Sequence, residues 1–140
     1  MTALQFLRRS CGSWTSERRY LFAPKLEPVN MTTNFTMVEG ERSDQFIIDW
    51  TGKTSGQMVL TLDGNILHRS RDYFGEGANS SKVEIIDQDC VVMRTEYDGC
   101  RFREEVRLHE DDFFRHRYTI GFSIKTGRLA LQGSYWETRL

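Results

Sequence analysis

Residues 91–122 read VVMRTEYDGCRFREEVRLHEDDFFRHRYTIGF, and their rhythm decides the fold. Side chains change character at every second position, the signature of a half-buried strand and not of a helix with its period of about 3.6. Asp98-Gly99 divides VVMRTEY from CRFREEVRL, and this dipeptide suits the positive φ angles of a tight hairpin. Working outward, Asp63-Gly64 stands in the same way between QMVLTL and NILHRS. Further breaks fall at Thr51-Gly52, in GEGANSS from Gly75 to Ser81, and at Lys125-Thr126-Gly127. Residues 29–38 alternate again, with Val29, Met31, Thr33, Phe35 and Met37 on one face. The punctuation gives about ten strands, somewhat longer than the usual 5–6 residues.

So many consecutive strands leave little room for crossover helices, which predicts an all-β antiparallel meander. Closing that sheet into a small ligand-holding barrel removes its exposed edges. The prolines, Pro24 and Pro28, bracket the first connection and interrupt no later strand. Residues 2–10, with Leu4, Phe6 and Leu7 among polar neighbours, predict a short amino-terminal helix. With 140 residues and 39% hydrophobic content, one core can close unaided, so residues 1–140 are expected to be a single domain.

A formal charge of −1 gives no electrostatic footprint for nucleic acid or an anionic membrane. Cys11, Cys90 and Cys100 are odd in number and widely spaced, which suits a reducing compartment. The opening MTALQFLRRS has neither a signal peptide's apolar run nor a membrane span, and the expected location is cytoplasmic. On that expectation the N-x-S/T triplets at Asn30, Asn34 and Asn79 are chance. His68, His109 and His116 show no metal-ligand spacing. No G-x-S-x-G elbow or phosphate loop is present, and Cys100 reads as a small strand residue more readily than as a catalytic thiol.

Two constellations stand out. The parity that carries Trp14, Tyr20 and Phe22 also carries Ser16 and Arg18, placing an arginine on an aromatic face. An unpaired buried guanidinium costs several kcal/mol, so Arg18 belongs to a wet rim or faces an anion. In residues 102–122, an odd-numbered turn over Glu110–Asp112 would set Glu105 opposite Arg117, with Arg115 one pair along. A two-residue turn would separate them. The other face, with Phe102, Val106, Leu108, Phe114, Tyr118 and Ile120, looks like a core, so pattern alone favours a solvated charged face for Glu105, Arg115 and Arg117.

The stretch LQFLRRSCGSWTSERRYLF, with Gly12, Trp14, Ser16 and Arg18 in order, resembles the opening of the S-type phycobiliprotein lyases of the CpcS/CpeS kind. RTEYDGCRFREEVRL followed by FFRHR resembles that family's Thr-Glu-Tyr, Glu-Glu and Arg-x-Arg pattern. The closing Trp136-Glu137-Thr138-Arg139 is similar to its Ser-Glu-x-Arg strand, and Trp50 in FIIDW falls near a family tryptophan of the chromophore pocket. The chain is shorter than most members, with only VEGERSDQF between its second and third strands, and it lacks a second tryptophan soon after Trp50.

The resemblance implies a calycin-like barrel, related in shape to lipocalins and fatty-acid-binding proteins, with a helix across one end. It implies that Arg18, Glu105, Arg115 and Arg117 point to a bilin, against the preference of the pattern. Its implied activity is a lyase forming a carbon–sulfur bond between an open-chain tetrapyrrole and a cysteine of an apo-phycobiliprotein subunit. The bilin, phycocyanobilin or phycoerythrobilin, is bound as substrate, and no prosthetic group or metal is expected. Glu105 would be the catalytic carboxylate, Arg18, Arg115 and Arg117 the propionate anchors, and Trp14, Tyr20 and Trp50 the wall. Three arginines against one glutamate balance two propionates, which leaves Arg103 and Arg107 unplaced. The family also suggests a homodimer or a heterodimer with a related lyase. Alternatives are a bilin carrier that does not ligate, one half of a heterodimeric lyase, or a fatty-acid carrier.

Overall fold

A computed structural model describes residues 1–70 and 78–140, so part of the expected break at Gly75–Ser81 lies outside the described residues. Helix α1 spans Ala3–Arg9 and is followed by strands β1 (Gly12–Phe22), β2 (Pro28–Glu39), β3 (Gln45–Gly52), β4 (Gly56–Asp63) and β5 (Ile66–Arg69). The remaining strands are β6 (Asn79–Asp87), β7 (Cys90–Tyr97), β8 (Cys100–His109), β9 (Phe114–Ser123) and β10 (Leu129–Arg139). Each strand pairs antiparallel with its sequence neighbour, and β1 pairs with β10 to close a ten-stranded barrel. The expected meander is observed. Asp98 and Gly99 both take positive φ (51° and 72°), the backbone that the Asp-Gly hairpin requires.

Helix α1 covers one end of the barrel. Thr2 caps it in a reciprocal box with Gln5, and Phe6, only 2% exposed, packs against Trp14, Phe35, Met37 and Phe46. Two arginines fix the lid. Arg9 binds Asp112 through Nε (3.0 Å) and Nη2 (2.7 Å) and also reaches Asp89 at 2.7 Å. Arg139 donates to the carbonyls of Arg9 (2.8 Å) and Cys11, satisfying acceptors at the helix end that would otherwise be orphaned, and lies 4.2 Å above the Trp14 ring.

Gly12 is required by this clamp. Its φ is +138°, and a Cβ there would stand 2.3 Å from Arg139 Nη1. Gly12→Ala is expected to destabilise the fold by about 1–3 kcal/mol through overpacking and backbone strain. Chemical denaturation checks this, and an unchanged midpoint would mean that the clamp does not constrain the helix exit.

One turn differs from expectation. His109 pairs with Phe114, so the β8–β9 connection is residues 110–113, an even-numbered loop in place of an odd one. Glu110, Asp111 and Asp112 all take positive φ (51°, 53° and 66°), and Phe113 N–H closes the turn on Glu110 at 3.0 Å. The bidentate bond from Arg9 holds Asp112 in place. Odd-numbered residues of β8 therefore pair with even-numbered residues of β9, and the inward face of β8 is continued by the odd positions of β9.

Candidate functional site

The barrel encloses a cavity of about 410 Å³, within the ~300–1,000 Å³ range of small-molecule sites. Helix α1 contributes Ala3, Phe6 and Leu7 to its floor, while Phe35, Ile48, Trp50, Met58, Leu60 and Val83 form apolar wall. Into this surface project Arg18, Arg69, Arg115, Arg117 and Glu104.

The charged groups follow from register. On β1, β10 and β9, Ser16, Glu137 and Arg115 form one row across the sheet, and Arg18, Tyr135 and Arg117 form the next. Arg115 Nε donates to Glu137 Oε1 at 2.7 Å, and Arg117 Nη1 donates to Glu137 Oε2 at 3.3 Å. Arg117 Nε donates to Glu104 Oε1 at 3.0 Å. Arg18 Nε donates to Ser16 Oγ at 3.0 Å. The Tyr135 ring stands between two guanidiniums, 4.5 Å from Arg117 and 5.4 Å from Arg18.

Glu137 is the hub, at 1% exposure. Burial alone would push its carboxyl upward, but Arg115, Arg117 and the Ser16 hydroxyl stabilise the anion and hold it at about 2. Tyr135 shows the opposite balance, its phenol pushed up chiefly by burial and by Tyr20. It therefore remains neutral beside the two cations.

The structure brings Arg18, Arg115, Arg117, Tyr20 and Trp50 to the cavity. Two expected residues are elsewhere. Glu105 sits opposite Tyr118 on the outer face, 3.7 Å from Arg103, with 38% of its side chain exposed. Its chain neighbour Glu104 shares the inward parity of Phe102, Val106 and Leu108, and the even-numbered loop brings Arg115 and Arg117 to that same face. Phe114, Tyr118 and Ile120, expected in the core, face outward for the same reason, while Phe102, Val106 and Leu108 do point inward with Glu104. Trp14 is fully buried between Phe35 and Arg139, its Nε1 bonded to the Ser10 carbonyl at 3.0 Å, and it supports the cavity from behind without lining it.

Arg107 is placed by Asp87 at 3.0 Å, outside the barrel. Sequence reasoning missed Glu137 and Arg69. Glu137 lay within the quoted Trp136–Arg139 motif, and its inward parity follows once β10 is paired to β1 at Ser16. Arg69 shares the parity of buried Leu67, the same signal that marked Arg18. Among the described residues, the guanidiniums of Arg18, Arg115 and Arg117 thus cluster with the carboxylates of Glu104 and Glu137, and Arg69 enters the cavity from another strand.

No protein-family model matches the chain. It is 24% identical over 98% of its length to a Nostoc sp. protein named as a phycocyanobilin lyase, CpcS 2, of which the match covers 90%. It is 21% identical over 96% of its length to a Picosynechococcus sp. protein named as a chromophore lyase, CpcV, of which 80% is covered. In fold it is similar to the S-type phycobiliprotein lyase CPES of Guillardia theta, with TM-score 0.75, 16% identity and coverage of 100% of this chain and 93% of that one. A Mycobacterium tuberculosis protein shares the fold more distantly, with TM-score 0.59 at 11% identity, over 99% of this chain and 97% of that one.

Proposed function

We propose that this chain, which resembles the S-type phycobiliprotein lyases in sequence and fold, binds an open-chain tetrapyrrole and delivers it to a cysteine of an apo-phycobiliprotein subunit. The observation that carries the reading is the cluster of Arg18, Arg115 and Arg117 with Glu104 inside an apolar barrel. The planar fork of arginine suits the propionate carboxylates. A fatty acid brings no N–H donors, so it leaves Glu104 unused.

The inward position of Glu104 supports giving it the role that the family resemblance suggested for Glu105. An ionised carboxylate has about four acceptor sites, and the bond to Arg117 occupies one. The remainder can accept pyrrole N–H groups and favour the protonated chromophore, which draws electrons from its exocyclic ethylidene. The acceptor's thiolate then adds to that carbon. A carbon–sulfur bond forms, the ethylidene π pair moves into the conjugated ring system, and the thiol proton ends on the ring carbon. No atom leaves. Arg18, Arg115 and Arg117 hold the propionates, Trp50 and Tyr20 restrain the flexible chain, and the closed barrel wall excludes competing nucleophiles.

The nucleophile belongs to the acceptor. Burial pushes the Cys11 and Cys90 thiols up, so both are protonated at neutral pH. A Cys11→Ser, Cys90→Ala, Cys100→Ser variant is therefore expected to keep transfer at wild-type rates. A folded, bilin-binding variant that no longer transfers would sink this assignment. The reading as a whole is tested by mixing the purified chain with phycocyanobilin or phycoerythrobilin and an apo subunit, then denaturing. A coloured subunit band is expected, at a rate well above spontaneous addition. Binding without acceleration would leave a carrier, and no binding would overturn the reading.

A further inference from the structure

We propose that the end of the barrel opposite α1 is the docking face for the acceptor, and that it fits a protein surface whose cysteine is ringed by apolar residues and, outside them, by carboxylates. The proposal rests on the lyase reading and adds to it where, and by what chemistry, the acceptor is held. In a meander, successive connections alternate between the two ends of the ring. Helix α1 occupies one end, where Arg9 grips Asp89 and Asp112 in the 88–89 and 110–113 connections. The opposite end carries, among the described residues, the turns 23–27, 53–55, 98–99 and 124–128. An acceptor meets a bilin in the cavity from that side.

The rim of this end is apolar and uncovered. Phe22 lines the cavity and is nevertheless 41% exposed, and Val29, on the inward face of β2 opposite Tyr20, is exposed as well. Beside them Leu26, 44% exposed, takes φ +55°. A leucine is costly in the left-handed region, and an exposed one adds nothing to the core, so neither backbone nor packing gains from an apolar side chain there. Exposed Ile124 extends the rim, its N–H bonded to the Gly99 carbonyl at 2.9 Å, while Ala23 N–H bonds the Ala130 carbonyl at 3.0 Å. These bonds join the turns into one continuous edge.

Charge surrounds the apolar rim. Lys25, Lys53, Lys125 and Arg128 are exposed in these turns, against the carboxylates of Glu27 and Asp98, and none of the six forms an ion pair among the described residues. Apolar groups at the opening of a cavity, with unpaired cations around them, match a partner of opposite sign. The rim charges steer the encounter and set its orientation, and the apolar centre excludes water.

The test loads the purified chain with phycocyanobilin or phycoerythrobilin and follows transfer to the apo subunit that wild type colours, over a range of subunit concentrations. A Lys25→Glu, Lys125→Glu, Arg128→Glu variant is expected to raise KM for the subunit by on the order of tenfold or more, with bilin affinity and absorption spectrum unchanged. Raising salt from about 0.05 M to about 0.5 M should weaken wild type and narrow that gap. Leu26→Asn should raise KM several-fold without lowering the melting temperature, because asparagine tolerates the left-handed backbone. A leucine with a purely structural role would do the reverse. Unchanged KM in both variants overturns docking at this end and leaves the lyase reading standing. If the triple variant does not fold, Leu26→Asn decides alone. If wild type self-associates on size exclusion, or sediments with phosphatidylglycerol vesicles, and the variants abolish this with KM unchanged, the face serves a second copy or a membrane and the proposal falls. If wild type binds neither pigment or colours no subunit, the lyase reading falls and takes this inference with it.

Discussion

Glu137→Ala should lower folding stability by about 3–5 kcal/mol, the largest loss expected of any single substitution in the charged cluster, because it leaves two buried guanidiniums without their shared anion. That is a large fraction of the ~5–15 kcal/mol that holds a typical domain together. Glu137→Gln keeps the shape and one of the two acceptor oxygens but sets an NH2 donor against an arginine and removes the charge, so its cost should be smaller than that of alanine. The pH dependence follows from the depressed carboxyl. Held at about 2 against an ordinary 4.5, it contributes stability that is fully present above pH 4.5 and is lost as pH falls through 2. The full effect is roughly 3 kcal/mol. Acid unfolding curves of wild type should therefore steepen across that window, and those of Glu137→Gln should be flatter there. Parallel curves would show that the Arg115 and Arg117 contacts do not stabilise the anion.

Glu104→Gln and Glu105→Gln should behave in opposite ways although the residues are adjacent. The first removes a buried charge paired to Arg117 at 3.0 Å and facing the cavity. It should abolish the red-shifted, protonated-type bilin spectrum and slow transfer at least tenfold, a change of about 1.4 kcal/mol or more in the barrier. The second removes an exposed partner of Arg103, whose contribution to stability is within about 0.5 kcal/mol, and should leave spectrum and transfer unchanged. Bilin titration, transfer assays and thermal melts on the two variants decide the point. A Glu105→Gln variant that loses the protonated spectrum would return catalysis to the outer position and undo the assignment of Glu104.

The alternation in 91–122 and the Asp-Gly turns made the meander legible, because a strand's period and a hairpin's need for positive φ are local properties. The inward direction of Arg18 was legible for the same reason, since it shares parity with Trp14 and Tyr20 on an unbroken strand. The meeting of Glu104 with Arg117 was hidden by one loop. Whether the β8–β9 turn has an odd or even number of residues depends on Glu110–Asp112 adopting three successive positive φ angles, and on Arg9, some hundred positions away in sequence, gripping Asp112. Neither can be read from the turn's own composition. Glu137 was hidden differently: a lone carboxylate in a strand reads as solvated until two arginines from another strand are placed against it. Arg69 carried the same parity signal as Arg18 but sat on a strand too short to display it.

The seam between β1 and β10 also governs how the protein is made. Every other pairing in the ring joins strands adjacent in sequence and can zip from a hairpin, whereas the seam brings together groups such as Cys11 and Arg139, 128 positions apart. Non-local closure of this kind has the greatest entropic cost and comes late in folding. Ser16 with Glu137, and Arg18 with Tyr135, are pairs across that same seam. A partly folded chain therefore holds hairpins, two unpaired sheet edges and the ion pairs of β8, β9 and β10 without Ser16 and Arg18 beside them. Any ligand that needs Arg18 together with Arg115 and Arg117 acts only on the finished barrel, so each tenfold of its concentration above the dissociation constant adds about 1.4 kcal/mol to folding.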